Sequence, residues 1–347
     1  MKFLFLYTEL AGYFLACVET LVERADSEVH IVRWPVNKEA PFQFTYSKKI
    51  TVYERNAYSS KTLLELVQSI NPDLIYCSGW IDKGYLNACR KWKGKALLML
   101  GLDNKWKGSV RQRLGAVYFK LNMKSFFSYC WVPGKMQKEL AKHIGFDEKN
   151  ILTGFYSCNY SYFNGLYLEN RIEKKNKFPH VFIFVGRYYE FKGIKELWQS
   201  FIELQNESPN DWELWCLGTG DVPPVIHPKI KHFGFVQSND MVDVIRNGGV
   251  FILPSTFEPW GVVVHEFASA GFPLICSNEV GATELFLKEN ENGFLVPAGS
   301  IPKLKSAMKK MISLPDERLN LMGEKSVTLA SQITPEKWAD SLIKIIA

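Results

Sequence analysis

Residues 250–266 of the chain are VFILPSTFEPWGVVVHE, and this stretch decides the fold of the second half. The apolar run 250–253 predicts a buried strand, the Pro-Ser pair after it predicts a turn, and the sequence from Pro259 onward predicts a helix. Glu258 then lies at the carboxyl end of the strand, and Glu266 lies about two turns along the helix. Open α/β sheets bind ligands at this edge, and a helix amino terminus offers N–H groups to an anion. The stretch therefore predicts a diphosphate site flanked by two acids that bind hydroxyl groups.

Apolar runs alternate with amphipathic stretches on both sides of this segment, which predicts parallel sheets covered by helices. A run rich in Tyr, Asn and Ser, followed by charges, interrupts the alternation and predicts a linker. We therefore predict two Rossmann-like α/β domains that face one another across a cleft. The predicted boundaries are 1–154 for the first domain, 155–178 for the linker, 179–331 for the second domain and 332–347 for a C-terminal helix. In this fold that helix packs back on the first domain, although its apolar face would equally suit its own domain.

Composition favours a cytoplasmic protein. No apolar run approaches the roughly 20 residues of a membrane span, and the amino terminus becomes polar too early for a signal peptide. The seven cysteines are scattered, odd in number and never at metal-ligand spacing, which favours a reducing compartment.

Positive charge is concentrated in the first half of the chain. Residues 1–150 hold 23 Lys and Arg against 14 Asp and Glu, whereas residues 151–347 hold 19 against 22. Between residues 83 and 124, Asp103 is the only acid among eleven basic residues, and aromatic residues are interspersed with them. This segment is either a solvated basic face or a surface that binds anionic lipid or an anionic acceptor. No nucleic-acid-binding motif is present, so we predict no nucleic-acid partner.

Three further motifs surround the opening stretch. Gly186-Arg187 ends an apolar strand, Lys192 follows before a helix, and a Gly-x-Gly turn at Gly218 ends the next strand. In this order, with Pro-Ser before the two glutamates, the second half resembles the donor-binding half of the GT-B-fold retaining glycosyltransferases of family 4. The resemblance extends over roughly residues 181–297. It implies transfer of a sugar from a nucleotide donor.

The resemblance and the placement of the residues assign roles around the donor. Arg187 and Lys192 follow a strand end, where they would neutralise the departing diphosphate. The alternative is that they are ordinary surface cations without a functional role. Glu258 would bind hydroxyls of the sugar, unless it merely caps the helix. Glu266 would bind the two ribose hydroxyls, whereas its alternative is an exposed helical acid.

The remaining predicted contacts in the second half are mostly backbone. The first helical N–H groups would bind the diphosphate, and a glycine there permits close approach. The segment concerned is Trp260, Gly261, Val262 and Val263. Trp260 either forms a wall of the sugar site or packs in the interior. In the family, the position of Phe235 and Val236 presents backbone to the nucleobase.

The resemblance is weaker in the first half. Only Ala11-Gly12 stands where the family carries a glycine-rich loop, with Glu9 just before it as a candidate base. Many members place a histidine of the first domain against the donor sugar, but residues 31–142 contain none. Asp103 follows the corresponding apolar strand and could occupy that position. Glu9 and Asp103 would otherwise be loop caps.

No Asp-x-Asp pair is present to hold a divalent ion, and the resemblance likewise implies metal-independent transfer with no cofactor. We therefore predict a retaining hexosyltransferase that uses a nucleotide sugar, UDP by default. The acceptor would be a glycan or lipid-linked glycan of cell-surface polysaccharide or lipopolysaccharide, at the inner face of the membrane. The alternatives are a nucleotide-sugar 2-epimerase on the same fold and a non-catalytic module that binds sugar nucleotides or polyanions.

Overall fold

The computed structural model describes residues 1–36, 44–237 and 240–346. The predicted first domain and C-terminal segment therefore include residues, 37–43 and Ala347, that lie outside the description. The chain forms two compact domains. The first consists of Met1–Ser157 and the chain from Ile333 onward, and the second consists of Cys158–Gln332.

The described part of the first domain is built on a seven-stranded parallel sheet in the order β3-β2-β1-β4-β5-β6-β7. Its strands are β1 (Lys2–Leu6), β2 (Glu28–Arg33), β3 (Ile50–Glu54), β4 (Leu74–Ser78), β5 (Leu97–Gly101), β6 (Tyr129–Trp131) and β7 (Ile151–Leu152). Its first helices are α1 (Gly12–Ala25), α2 (Ser60–Ile70), α3 (Lys83–Trp92), α4 (Val110–Asn122) and α5 (Lys135–His143). The central strand β1 is apolar and buried on both faces, as expected when helices cover both sides of a parallel sheet.

The second domain has a six-stranded parallel sheet in the order β10-β9-β8-β11-β12-β13. Its strands are β8 (Val181–Val185), β9 (Glu213–Leu217), β10 (Ile230–Gly234), β11 (Val250–Leu253), β12 (Leu274–Ser277) and β13 (Gly293–Val296). Its helices are α6 (Tyr160–Asn176), α7 (Ile194–Glu207), α8 (Val242–Asn247), α9 (Val262–Ser269), α10 (Thr283–Phe286), α11 (Ile301–Ile312) and α12 (Asp316–Ala330). In both sheets the first strand lies between the second and the fourth, which is the Rossmann order, so the predicted fold class is confirmed.

The stretch predicted as a linker, 155–178, contains the 17-residue helix α6. Its buried face is formed by Phe163, Leu166, Asn170 and Lys174, so half of the buried positions are polar. Asn170 donates to the carbonyl of Leu166 at 2.7 Å, and Lys174 donates to that of Gly248 at 2.8 Å. These hydrogen bonds satisfy the two polar side chains inside the domain. Because Asn170 and Lys174 occupy buried positions, the sequence lacks the apolar periodicity that would predict this helix.

The last helix, α13 (Pro335–Ile346), packs against α1 of the first domain. Trp338 is its anchor: its ring stacks on Trp131 at a centroid distance of 4.8 Å and contacts Phe5 at 6.0 Å. Its indole N–H donates to the carbonyl of Phe155 at 2.7 Å. Because the ring is 1% exposed and its polar atom is paired, α13 forms an integral part of the first-domain core.

All seven cysteine residues are buried, and none forms a disulfide within the described ranges. No helix within the described ranges combines the length and apolarity needed to cross a bilayer.

Replacing Trp338 with alanine tests the role of α13 in the first domain. We expect the Trp338→Ala variant to lose about 3–5 kcal/mol of unfolding free energy, because it leaves a large cavity. Urea-induced unfolding measures the loss. Trp215→Ala is the matched control, since Trp215 is only half-buried, and we expect less than half the effect. Equal losses in the two variants would contradict a core role for α13.

Candidate functional site

The strand order of the second sheet changes direction between the neighbouring strands β8 and β11. The chain continues from β8 to β9 and β10 on one side, and from β11 to β12 and β13 on the other. Loops that leave neighbouring strands in opposite directions open a crevice at the carboxyl ends of those strands. Arg187 directly follows β8, and Glu258 follows β11, so the sequence-predicted residues lie at this edge.

The turn after β8 is fixed against the loop after β11. Gly193 has φ 69°, and a Cβ there would lie 2.3 Å from the carbonyl oxygen of Pro254. The N–H of Thr256 donates to the carbonyl of Phe191 at 2.8 Å. A glycine is therefore required at 193, because any side chain would collide with the backbone of the neighbouring loop.

This packing brings Lys192 and Glu258 into an ion pair. The Nζ atom of Lys192 donates to Oε2 of Glu258. The two side chains are only 19% and 12% exposed, so solvent screens their charges less than it would at the surface. Two charged groups that are 66 residues apart in the sequence thus meet at the carboxyl edge of the sheet.

The loop that carries Glu258 is tied to the segment after β12. Glu258 forms an isolated parallel bridge with Val280, and the N–H of Ala282 donates to the carbonyl of Trp260 at 2.8 Å. These contacts keep the loop extended, so α9 begins at Val262 rather than at Pro259, where the sequence predicts its start. Glu258 therefore lies outside the helix, and it does not cap α9, because no side chain caps that helix.

The amino terminus of α9 opens at Gly261, which has φ 90°. A Cβ there would lie 3.0 Å from Cγ of Glu258, so glycine leaves room for that side chain. Val262 and Val263 form the half-buried first turn, which contains no acid. The uncapped N–H groups and the helix dipole make this end suitable for an anion. Trp260 is buried, 2% exposed, and packs edge-on against Phe286, which favours the interior placement that the sequence left open.

Glu266 lies a little over one turn into α9 and is 8% exposed. Among the described residues its carboxylate has no hydrogen-bond or ion-pair partner. Burial alone raises the pKa of Glu266 from 4.5 to about 7. A buried acid without a partner is costly to the fold, and it suits a ligand that donates hydroxyl groups.

The predicted glycines at the other strand ends permit close backbone contact. Gly218 has φ 139°, and a Cβ there would lie 2.0 Å from the carbonyl oxygen of Gly186. Arg187, the next residue, is half-buried, and its carbonyl accepts from the N–H of Tyr189 at 2.9 Å. Phe235 and Val236 are half-buried and directly follow β10.

His265, which the sequence analysis did not place in the site, is fully buried between these residues. Its Nδ1 accepts from the N–H of Cys158 at 3.1 Å, so Nε2 carries the proton and donates to the carbonyl of Ala330 at 3.0 Å. Both ring nitrogens are therefore used to hold the second domain together.

The first domain carries Glu9, Gly12 and Asp103 at the carboxyl edge of its own sheet. Glu9 follows β1, Gly12 begins α1, and Asp103 follows β5, which is separated from β1 by β4 alone. Asp103 accepts a hydrogen bond from the hydroxyl of Tyr156 at 3.2 Å. Tyr156 could not be predicted from the sequence as a site residue, because this contact joins residues 53 positions apart. Among the described residues, no group of three or more His, Cys, Asp or Glu side chains is placed to hold a metal ion.

Comparison with known proteins connects these features to a family. Residues 179–313 match the family model described as Glycosyl transferases group 1. The lipopolysaccharide core biosynthesis glycosyltransferase LpsE of Rhizobium meliloti is 25% identical over 170 residues, which cover 47% of this chain and 48% of LpsE. The capsular polysaccharide biosynthesis glycosyltransferase CapM of Staphylococcus aureus is 28% identical over 197 residues, covering 52% and 50%. The chain thus spans about half the length of these curated relatives.

A solved structure resembles the whole chain. The crystal structure of Anabaena Alr3699/HepE in complex with UDP has a TM-score of 0.72 and 15% identity, and the match covers 100% of this chain and 99% of that one. At this identity the likeness shows the fold, which is that of the GT-B glycosyltransferases. The match to the group 1 glycosyltransferase model thus falls on the second of two Rossmann-like domains.

Glu266 predicts a specific dependence of stability on pH. Its pKa is higher in the folded state than the unfolded value of 4.5, so the ligand-free protein loses stability as pH rises from about 4.5 to about 7. Glu266→Gln removes this term. We expect the variant to match the wild type at pH 4, below both pKa values, and to exceed it by about 3 kcal/mol at pH 8 in urea-induced unfolding. Glu317→Gln, on an exposed acid of α12, is the control and should leave the pH dependence unchanged. Parallel stability curves for wild type and Glu266→Gln would refute the assignment.

Proposed function

We propose that this chain transfers a hexose-type sugar from a nucleoside-diphosphate sugar to a glycan or lipid-linked acceptor in the assembly of cell-surface polysaccharide or lipopolysaccharide. One observation carries the proposal. At the switch point of the second sheet, Lys192 from the turn after β8 pairs with Glu258 of the loop after β11, and that loop leads into the uncapped amino terminus of α9 and to Glu266, whose carboxylate has no partner among the described residues. The names of LpsE and CapM support the biosynthetic setting.

The diphosphate would bind at the amino terminus of α9. There the first N–H groups and the helix dipole meet negative charge, and Lys192 and Arg187 supply two more positive groups. In the ligand-free protein Glu258 neutralises Lys192. A bound phosphate would compete for Lys192 and release Glu258 toward the sugar hydroxyls, so the ion pair keeps both residues in position until the donor arrives.

The nucleoside would extend along the other strand ends. Glu266 would accept hydrogen bonds from the two ribose hydroxyls, which provide the partner that its buried carboxylate lacks. Phe235 and Val236, just after β10, would line the base. UDP is the favoured carrier, and the UDP complex of Anabaena Alr3699/HepE supports this choice.

We further propose that transfer retains the anomeric configuration and requires no metal ion. The resemblance to family 4 supports retention. Two cations that follow β8, Arg187 and Lys192, support a metal-independent departure of the diphosphate, because they would lie beside the developing charge of a donor bound at this edge. The anomeric configuration of the product by NMR, and turnover in EDTA, test these two points.

The first domain would receive the acceptor at the carboxyl edge of its sheet. Asp103 and Glu9 would contact acceptor or donor sugar there, and Gly12 would let backbone approach the ligand at the start of α1. The basic segment 83–124 would hold this domain at the inner, anionic face of a membrane, where lipid-linked acceptors lie.

A panel of nucleotides and nucleotide sugars tests the donor proposal. UDP, GDP, ADP and their sugars are compared by thermal shift, since a ligand that binds only the folded state raises Tm. We expect UDP and a UDP-hexose to raise Tm, and to do so less in Glu266→Ala. Absence of any shift across the panel would overturn the proposal. Conversion of the donor alone to its epimer would instead assign the site to a 2-epimerase.

Removing either member of the ion pair should stop transfer. We expect Lys192→Ala and Glu258→Ala to lower turnover by about 100- to 1000-fold or more, because each removes a group that stabilises the departing diphosphate or orients the sugar. Release of nucleoside diphosphate from the identified donor, with a lipid-linked glycan present, measures the effect.

The matched control is Lys195→Ala, one turn further along α7, whose exposed side chain pairs with Glu190 instead. It should keep near-normal turnover. Circular dichroism checks that each variant is folded. Near-normal turnover in both Lys192→Ala and Glu258→Ala would refute their assignment, and donor binding without turnover in the wild type would favour a non-catalytic module.

A further inference from the structure

Helix α4 contacts its own domain through a narrow face. Of its 13 residues only Ala116 and Phe119 are buried. Phe119 reaches the core through ring contacts with Trp80, at a centroid distance of 4.8 Å, and Phe127. At about 100° per residue, these two positions place the buried face of α4 on one side and leave the opposite side to solvent.

The opposite side is apolar, although it is exposed. Its side chains range from 57% exposed at Val117 to 79% at Leu121. We call them the α4 stripe, and they are Val110, Leu114, Val117, Tyr118 and Leu121. They recur at helical spacing and fall within a sector about 100° wide. A continuous exposed apolar strip of this kind marks an interaction surface.

Basic residues flank the α4 stripe on both sides. In projection Arg111 lies along one margin, and Arg113 and Lys120 lie along the other. All three are exposed, and none forms an ion pair with an acid in the described part of the chain. An apolar strip bordered by unneutralised arginine and lysine is the pattern of a helix that lies in the plane of an anionic membrane surface.

We infer that the α4 stripe inserts into the interface of an anionic bilayer, with Arg111, Arg113 and Lys120 at the level of the lipid headgroups. The positive charge of the flanking residues favours a membrane over a second copy of the chain as the partner of the stripe. A second copy seated on the stripe would bring like charges together around its margin, whereas anionic headgroups neutralise them. The inference rests on the proposed membrane contact and names the element that makes it, but it does not depend on the donor site.

The position of α4 in the first domain links this contact to the acceptor. The helix is reached from β5 through the loop that carries Asp103. Gln112 holds that loop to the helix: its side-chain N–H donates to the carbonyl of Lys105 at 2.8 Å, and its oxygen accepts from the N–H of Lys107 at 2.6 Å. A helix anchored at the headgroups would therefore hold the Asp103 loop near the head of a lipid-linked acceptor.

Co-sedimentation with vesicles tests the inference on the full-length protein. Vesicles of phosphatidylcholine alone are compared with vesicles that contain phosphatidylglycerol. We expect the wild type to bind the anionic vesicles. The double substitution Leu114→Glu and Leu121→Glu should lower the partition constant at least about tenfold. Glutamine at Arg111, Arg113 and Lys120 should lower it by about fivefold for each charge removed, and should reduce its dependence on salt.

The matched control is Leu168→Glu with Ile172→Glu on α6, two apolar residues that are 48% and 68% exposed. It should bind vesicles like the wild type. The nucleotide thermal shift should be unchanged in every variant, which shows that the fold and donor site survive. Wild-type binding that is absent, or that persists in Leu114→Glu/Leu121→Glu, would overturn the inference. A wild-type dimer that this variant makes monomeric would assign the stripe to a second copy and overturn it too.

Discussion

The candidate site depends on one close approach of backbone, that of Gly193 to the carbonyl of Pro254. The first follows β8 and the second follows β11, and the loops beyond these neighbouring strands otherwise lead in opposite directions. The contact at Gly193 joins the two loops and places Lys192 beside Glu258. The loop after β12 then holds Glu258 from the other side through its bridge to Val280. A side chain at 193 would separate the turn from the loop, and the charged pair with it.

The candidate site contains an ion pair, Lys192 with Glu258, and a buried acid, Glu266, that has no ion-pair partner among the described residues. Lys192 and Glu258 neutralise each other, so the fold can bury them without leaving an isolated ion. Glu266 has no such partner, and its raised pKa records the cost of its burial. Buried polar groups without partners, like other unfavourable local features, are concentrated at functional sites, because ligand binding compensates for their cost. The proposed diphosphate and the proposed ribose diol would complement the ion pair and Glu266, respectively.

The two domains keep the same strand order, yet they expose different chemistry. The second domain concentrates closely packed glycines, paired charges and an uncapped helix at one edge of its sheet. The first offers Asp103, which accepts a hydrogen bond from the partly buried Tyr156, and the exposed apolar side of α4 with its basic margins. The edge of the second domain suits a small, highly charged ligand, whereas the first domain suits a large amphipathic one. This division agrees with a donor bound by one domain and a lipid-linked acceptor approached by the other.

Strong local patterns were sufficient for most elements. Strand β11 has the bounds that the apolar run 250–253 predicts, and α13 lies within the predicted C-terminal segment 332–347, because a continuous apolar run and helical periodicity mark them. Weak patterns failed: edge strand β3 has a single buried residue, and α6 buries an asparagine and a lysine. The bridge of Glu258 to Val280 keeps Pro259 outside α9, which begins at Val262.

The sequence by itself determined the fold class and the residue types at the candidate site, since both follow from apolar periodicity and from motifs at strand ends. Only the tertiary structure decided which of these residues meet. It paired Lys192 with Glu258, left Glu266 without a partner, and turned the apolar side of α4 to solvent. The physical reason is the same in each case. Burial and contact depend on segments distant in sequence, and no local pattern specifies them.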